Sequence, residues 1–477
     1  MDNIENKRQS VALKAGVWYV ISSVLVKMIS VITTPLFTRL LSTDEYGTVS
    51  TFTSWYTLFL VIYSLNLGTS IGRAKIDYPD HLDDYIGSQQ LLSLIVSVAI
   101  SLVVIAFLKP FSGLFELSEP ETILLLLYLI ASPAIHFVQS GYRYKYKYKQ
   151  NIGIAWYMAL GTALLSLLLI FLTNGDKGTA RMAGLTLPAA ALSVFFWIKA
   201  FGGGHIHVNR EYWKYGLTIS LPMILHAVSM NVLAQSDRVV ISKFYGATPV
   251  AYYSLVRSFA LLLVVVTDAV NQAWQPWFHD SYHAGKETEI RKNTKLLVIL
   301  MCYIGLACVA VGPEAVYILG GAEYAQAVSC LPPMVLGVVC QCLYTNYINI
   351  ELHLKKTQYA SFGTVTAAAL NLILNLIFVP LYGYTAAAYT TFASYLVLLV
   401  MHLMITRRIL KVKLYNDKFI FAAMFLTTAA AFGVSLTYEN LIVRYGVIAV
   451  GFISFLFIFR RYIGSFTKKR VKKSLHE

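Results

Sequence analysis

Charge is what this sequence has least of. Asp, Glu, Lys and Arg together make up 13% of its 477 residues, about half the share of a typical soluble domain, so it has too little polar surface to face water all round. Acid is the scarcer sign, 24 Asp and Glu against 39 Lys and Arg, for a formal charge of +15. A nucleic-acid binder would carry that excess on one face of a folded soluble domain, and no polar stretch here is long enough to make one. Cysteine is also sparse. Cys302, Cys308, Cys330, Cys340 and Cys342 fall within two apolar stretches, without metal-ligand spacing or a neighbouring His cluster, and read as buried thiols. The chain lacks a Walker phosphate loop, an H-E-x-x-H pair and a nucleophile elbow. Those absences disfavour ATP hydrolysis, zinc hydrolysis and covalent catalysis, so neither an enzyme nor a bound cofactor is expected.

What fills the space is apolar sequence: 57% of the residues are hydrophobic and the mean hydropathy is +0.61. Lipid is therefore the solvent for most of the chain. A spanning helix of about 20 residues and a connection of about 10 leave room for roughly fourteen to sixteen passes. Apolar runs between turn and charge signals predict an all-α polytopic membrane protein of about fourteen transmembrane helices. They fall near 15–38, 48–71, 86–108, 121–141, 153–173, 179–200 and 215–236, then 252–276, 294–318, 328–350, 359–380, 384–406, 418–436 and 441–460. The polar stretch 1–14 leads into an apolar run too long for a signal-peptide core, which is expected to stay as the first membrane helix.

Basic residues set the orientation, because Lys and Arg near helix ends stay on the cytoplasmic side. With a cytoplasmic amino terminus, 30 of the 39 fall on that side. Only Arg39, Lys109, Lys177, Arg181, Arg238, Lys243 and Arg444 fall on the other, and Lys27 and Arg257 lie within helices. The bias predicts an even number of spans and both termini in the cytoplasm.

A weak repeat runs through the pattern. "TRLLSTDEYGTVS" (38–50) follows the first predicted helix as "SKFYGATPVAYYS" (242–254) follows the seventh, and "NGDKGTARMAGLT" (174–186) holds the slot that "VPLYGYTAAAYTT" (379–391) holds later. The spacing predicts two pseudo-symmetric six-helix lobes plus two C-terminal helices. Their expected bounds are 1–201 for the N-terminal lobe, 202–214 for a cytoplasmic linker, 215–409 for the C-terminal lobe and 410–477 for helices 13 and 14 with a basic tail.

Three segments, in order, carry a likeness to a known family: "TTPLFTRLLSTDEYGTVSTF" (33–52), "SDRVVISKFYGATPVAYYSL" (236–255) and "HLKKTQYASFGTVTAAALNLILNLIFVPLYGYTAAAYTTFAS" (353–394), with Asn371 and Asn375 ahead of Pro380 and Gly383. Together they resemble the polysaccharide-export flippases, the Wzx-like lipid-linked oligosaccharide transporters of the multidrug/oligosaccharidyl-lipid/polysaccharide superfamily, over most of the chain. The resemblance implies two lobes forming a V that opens inward and outward in turn, with helices 1, 2, 7 and 8 around a central cavity. It implies a cargo of sugars on a polyprenyl pyrophosphate, a place in the bacterial plasma membrane, and glycosyltransferases and a polysaccharide polymerase as partners beside the membrane lipids.

An anionic lipid head crossing a bilayer must exchange its hydration for protein charge, so cations within the spans are the residues to seek. A charge at mid-helix costs about 2.5–3.5 kcal/mol on insertion scales and is seldom idle. Lys27, near the middle of helix 1, and Arg257, inside helix 8, are the candidate substrate-binding cations, Arg as a bidentate phosphate clamp and Lys as a point charge. The competing reading has Lys27 snorkelling and Arg257 reaching the interface. Asp268, the acid well inside an apolar run, is the candidate coupling residue; it lies about 16 Å along the helix from Arg257, too far to pair with it. Arg39 with Asp44, and Asp237 with Arg238, close the first and seventh connections at the predicted outer rim as candidate gate ion pairs. The stretch "YRYKYKYK" (142–149) reads as a clamp on anionic lipid heads, as a docking surface for glycosyltransferases or, more simply, as aromatic anchors with positive-inside charge.

The expected function is translocation of a lipid-linked oligosaccharide repeat unit to the outer leaflet by alternating access, for surface polysaccharide assembly. The alternative is a cation-coupled multidrug exporter of the same superfamily. Against it, the N-terminal lobe has no mid-helix acid to hold a cationic drug.

Overall fold

Backbone amides in hydrocarbon find partners only within a helix or a closed barrel, and the described residues of this chain fold as helices joined by short turns. The computed structural model describes positions 18, 22, 25–29 and 31–474, with side chains to position 460 apart from 273, 458 and 459. The polar stretch 1–14, the opening of the predicted first helix and the side chains of the basic tail lie outside the described residues.

Helix α1 is described over 25–29 and 31–40. There follow α2 (Thr43–Tyr63), α3 (Ile71–Asp77), α4 (Leu82–Ala106), α5 (Leu108–Phe115), α6 (Glu119–Tyr144), α7 (Tyr148–Leu172), α8 (Lys177–Gly202), α9 (Arg210–Tyr245) and α10 (Ala247–His283). Then come α11 (Glu287–Ala310), α12 (Gly312–Gly320), α13 (Leu331–His353), α14 (Thr357–Tyr382), α15 (Ala386–Met404), α16 (Asp417–Ser435) and α17 (Leu441–Ser474). Eleven of them (α4, α6 to α11 and α13 to α16) are long and apolar enough to cross a membrane. With α1, α2 and α17 they fill the fourteen predicted places, so this is a polytopic all-α membrane protein.

The largest correction concerns the middle of the chain. Helices α9 and α10 run for 36 and 37 residues, well past the predicted 215–236 and 252–276, and only Gly246, at φ +77°, turns the chain between them. The sequence expectation ended the seventh helix at the charges of Asp237 and Arg238. Both instead lie on α9, about 10 Å before its end at 1.5 Å per residue, because hydrogen bonds described below replace the water that a charge would otherwise demand.

Buried apolar side chains form separate cores. One gathers Phe37, Phe52, Leu125 and Ile170 from α1, α2, α6 and α7; another gathers Phe278, Val335, Leu398 and Met424 from α10, α13, α15 and α16. The two halves meet chiefly where the α1–α2 and α9–α10 turns lie, here called the connection end. There α2 starts with a capping box, Glu45 N–H on Ser42 Oγ at 3.2 Å and Ser42 N–H on Glu45 Oε2 at 2.7 Å, which fixes its entry angle. One turn on, Gly47 packs so closely on α10 that a Cβ would stand 1.8 Å from the Ala247 carbonyl oxygen. Thr38 Oγ1 donates to Leu319 O, and Tyr46 meets Tyr324 edge to face at 6.2 Å.

At the opposite, linker end, the first turns of α9 dock on the N-terminal half. Trp213 Nε1 donates to Ser88 O at 2.9 Å, Tyr78 OH to Glu211 Oε1 at 3.1 Å and Tyr215 OH to Asp77 Oδ2 at 2.5 Å. The Tyr215 hydroxyl and the Arg73 guanidinium hold the Asp77 carboxyl below its ordinary value.

Helix α17 is tied to the bundle by a buried ion pair. Arg444, placed by the charge bias in a solvated loop, is 2% exposed, and it pairs with Glu314 of α12, which also accepts from Tyr445 OH at 3.0 Å. Breaking such a pair from one side strands the other charge, typically at 3–5 kcal/mol; Glu314 keeps some solvent. Arg444→Met is therefore expected to destabilise by about 3 kcal/mol, read as a lowered melting temperature in detergent, with Arg444→Met/Glu314→Gln recovering most of it. An unchanged melting temperature for the single variant would show that the pair holds nothing.

Candidate functional site

Between the halves, near the connection end, α1, α2, α8, α9 and α10 enclose a cavity of about 270 Å³. Its charges are two arginines, Arg181 and Arg238, and no carboxylate is among its described lining residues. Hydroxyls of Ser50, Thr53, Ser254 and Ser258 line the wall between them; Ser254 Oγ is buried with no hydrogen-bond partner among the described residues.

Local packing sets both cations. Arg181 sits in the second turn of α8, where Gly184 lets α8 press onto α7: a Cβ there would fall 2.2 Å from Ser166 Oγ. The Arg181 guanidinium then lies 3.7 Å from the Phe37 ring centroid, and its Nη1 donates to Thr162 O at 3.2 Å and to Ser166 Oγ. Arg238 Nη1 donates to Gln235 Oε1 at 2.7 Å and to Ser54 Oγ across the lobe boundary at 3.4 Å. Its Nε is buried with no partner among the described residues. Neither arginine makes an ion pair among the described residues, so the cavity is a desolvated site with net positive charge and spare donors. Planar guanidiniums with free N–H groups suit phosphate oxygens.

Of the two cations singled out from sequence, neither is among the residues lining this cavity. Arg257 lies on α10 between Ser254 and Ser258, on the same helical face, within electrostatic reach of Arg238; it has no hydrogen bond or ion pair among the described residues. Lys27 lies farther toward the linker end and binds Asp268 across the lobe boundary, Nζ to Oδ2 at 2.8 Å. Asp268, read as a candidate coupling residue too far from Arg257 to pair with it, is paired with Lys27. The pair adds no net charge.

The candidate gate residues are not ion-paired with each other. Arg39 Nη2 reaches Ile318 O at 3.5 Å, and Asp44 stands in the first turn of α2. Asp237 is not at a rim: it is 3% exposed, inside the C-terminal half. It accepts from Asn375 Nδ2 at 2.6 Å, from Thr391 Oγ1 at 2.8 Å and from Tyr253 OH, while Asn371 Oδ1 accepts from Ser236 Oγ at 3.2 Å. Of the paired asparagines noted in the sequence, Asn375 therefore solvates a buried acid, and Asn371 braces its partners, accepting from Asn375 Nδ2 at 3.3 Å and donating to Thr391 Oγ1 at 3.0 Å. A second buried acid had no signal in the sequence reading: Glu351 meets His402 Nδ1 at 2.7 Å, both fully buried. Among the described residues no group of three or more His, Cys, Asp and Glu side chains is placed to hold a metal ion. The sequence reading that found no nucleophile-elbow motif passed over Gly68-Thr69-Ser70-Ile71-Gly72, which spells it; Ser70 is buried at a helix start against Tyr85 OH at 2.7 Å, without the strand-to-helix turn that such a site needs.

Sequence reasoning missed Arg181 by counting it as a loop charge and placed Arg238 at a rim. The available signal was position: Arg181 stands four residues past Lys177 in an otherwise apolar run, where a charge needs a reason.

Comparison with known proteins sets this geometry in context. A family model described as polysaccharide biosynthesis protein matches residues 12–282, and one described as MatE matches residues 222–380. A relative from Haemophilus influenzae, described as Lsg locus putative protein 1, is 22% identical over 280 residues, which cover 56% of this chain and 66% of that protein. The match thus spans just under two thirds of that relative. Among solved structures, an inward closed conformation of the lipid II flippase MurJ superposes with a TM-score of 0.69 at 14% identity, covering 93% of this chain and 99% of that one. An inward-facing multidrug resistance MATE family transporter gives a TM-score of 0.59 at 15% identity, covering 87% and 96%. At these identities the superpositions establish the fold.

Proposed function

The chain belongs to the polysaccharide biosynthesis protein family, and from that premise we propose that it is a flippase for a polyprenyl-pyrophosphate-linked oligosaccharide, carrying the sugar head from the cytoplasmic to the outer leaflet of the bacterial plasma membrane. The observation that carries this reading is the pair of unneutralised arginines, Arg181 and Arg238, on a hydroxyl-lined cavity between the halves. A pyrophosphate gives up strong hydration on leaving water, and guanidinium donors in a desolvated site replace it. The polyprenyl tail stays in lipid while the lobes, bounded near 1–201 and 215–409 with helices 13 and 14 beyond, rock about the site. With both termini cytoplasmic, the close contact at the connection end is the closed outer gate and the cavity is entered from inside. The membrane potential assists: moving negative charge outward is downhill by about 2.3 kcal/mol per charge per 100 mV. Glycosyltransferases that build the repeat unit and a polymerase that extends it are the partners this role requires.

Lys27 and Asp268 then form a latch that the incoming anion competes for, since a phosphate can take the ammonium from the carboxylate. In cells lacking this protein, Lys27→Ala is expected to lower surface glycan about fivefold, the worth of roughly 1 kcal/mol for a partly exposed pair. The swap Lys27→Asp/Asp268→Lys should restore part of it. Unchanged export by Lys27→Ala at normal membrane level would remove the latch from the mechanism.

A second reading, cation-coupled drug export, is favoured by the MatE match over 222–380. Proteoliposomes separate the two. The flippase reading expects a fluorescent lipid-linked pyrophosphate oligosaccharide to cross and a cationic dye to stay; movement of the dye alone would reverse the assignment.

A further inference from the structure

The Tyr-Lys stretch after α6 borders a pocket of its own. It measures about 420 Å³ and lies at the linker end of the N-terminal half, where α4 begins and α6 and α8 end. Apolar side chains of Ile86, Val138 and Phe196 line it together with lysines 145, 147 and 199.

Their surroundings differ. Lys145 pairs with Asp83, which also borders the pocket. Lys147 and Lys199 have no carboxylate partner among the described residues and share one aromatic ring. Lys199 Nζ donates to Tyr142 OH at 3.3 Å and lies 5.9 Å from the ring centroid, and Lys147 Nζ lies 6.0 Å from it. Gln90 also borders the pocket, is 2% exposed, and its Nε2 has no hydrogen-bond partner among the described residues. A buried amide donor left unpaired is costly enough that such groups nearly always have a partner. A cavity offering two uncompensated ammoniums, a phenol and an unpaired amide donor beside apolar lining has the chemistry that a phosphate on an apolar body requires.

The neighbourhood selects the source of that phosphate. On α8, Val194, Phe195, Ile198 and Phe201 are each more than half exposed, which in a membrane protein is a lipid-facing surface. It runs alongside the pocket, and the pocket sits at helix ends, the depth of lipid headgroups. We propose that this pocket binds the headgroup of an acidic glycerophospholipid, its phosphate held by Lys147, Lys199 and the Gln90 amide and its glycerol against Phe196. It lies at the opposite end of the N-terminal half from the Arg181–Arg238 cavity. A lipid held there bridges α4, α6 and α8 next to His205, whose carbonyl oxygen packs on Gly87, and so pins the linker leading into α9.

The test uses the purified full chain in a neutral detergent, with native mass spectrometry counting adducts of dioleoylphosphatidylglycerol, dioleoylphosphatidylcholine and glycerol 3-phosphate. Phosphatidylglycerol is expected to bind at least tenfold more tightly than phosphatidylcholine. Lys147→Ala/Lys199→Ala should weaken it roughly twenty-five-fold, from the usual attraction per basic side chain near anionic lipid. Lys147→Arg/Lys199→Arg should bind as the natural chain does. Gln90→Leu changes no charge and should weaken binding several-fold, which diffuse attraction would not predict. Equal binding of phosphatidylglycerol by the natural chain and the double alanine variant would overturn the site. Displacement of the lipid by an equal concentration of glycerol 3-phosphate would assign the pocket to a free phosphate and overturn the lipid. Should the alanine pair fail to insert, Gln90→Leu decides alone: undiminished affinity rejects the proposal.

Discussion

Arg238→Gln is expected to slow translocation of a lipid-linked pyrophosphate oligosaccharide about a hundredfold in proteoliposomes, with the protein inserted at its normal level. Glutamine keeps a polar side chain beside Ser54 and removes the charge and the fork of donors. Two charge-assisted hydrogen bonds to phosphate oxygens are worth about 1.5 kcal/mol each at the low end, and their joint loss of about 3 kcal/mol is the hundredfold. Arg238→Lys keeps the charge without the planar fork and should fall between, near a tenfold loss. Arg181→Gln tests the same cavity less cleanly, because the guanidinium also lies on Phe37 and bonds Thr162, so the amount of folded protein should drop with the activity. Wild-type rates for Arg238→Gln would mean that the cavity does not hold the pyrophosphate.

Gly47→Ala is expected to shift the population from one closed at the connection end toward one open there. A Cβ at position 47 would stand 1.8 Å from the Ala247 carbonyl oxygen and 2.5 Å from its carbon, and backbone on both sides leaves nothing flexible to yield. In the proposed alternating-access cycle the clash exists only while α2 lies on α10, so it acts on one state of the two. Overpacking of this kind costs about 1–3 kcal/mol, occasionally more, and a bias of about 5.5 kcal/mol turns a 99:1 equilibrium into 1:99; the further Cγ carbons of Gly47→Val should approach that. Spin labels at positions 44 and 243, both exposed at that end, should report a longer distance in the alanine variant and longer still in the valine one. Transport should fall in both, since a carrier held on one side cannot cycle. An unchanged distance distribution in Gly47→Val would show that the contact is not a gate.

The architecture was legible because lipid makes it so: where no backbone group can bond to water, an apolar run of twenty residues has one fate, and fourteen such runs name the fold class. Charge was misread where it is rarest. Asp237 and Arg238 looked like the end of a helix because an isolated charge in an apolar run normally marks the interface. What overrides that rule is a set of donors 138 and 154 residues from Asp237, Asn375 on α14 and Thr391 on α15, which no local pattern announces. The same holds for Lys27 and Asp268, 241 residues apart: each was visible as a mid-helix ion, and their pairing was not. Gly47 shows the limit in the other direction, since one glycine in "DEYGTV" looks like a turn residue until α10 is laid against it.

Helix α9 is bonded to both halves. Its first turns hang on α3 and α4 through Tyr215 and Trp213, and its last turns are bolted to α14 and α15 through Asp237 and to the Pro380 carbonyl through Tyr245 OH at 3.2 Å. If the lobes rock as proposed, a rod fastened at both ends to them must either let go or flex, and it carries Pro222 between the two anchorages, where the missing N–H leaves the helical ladder one bond short. In that cycle the stiffness of this one segment would set how far the halves separate, and a substitution there would be felt as a change in stroke length rather than in affinity.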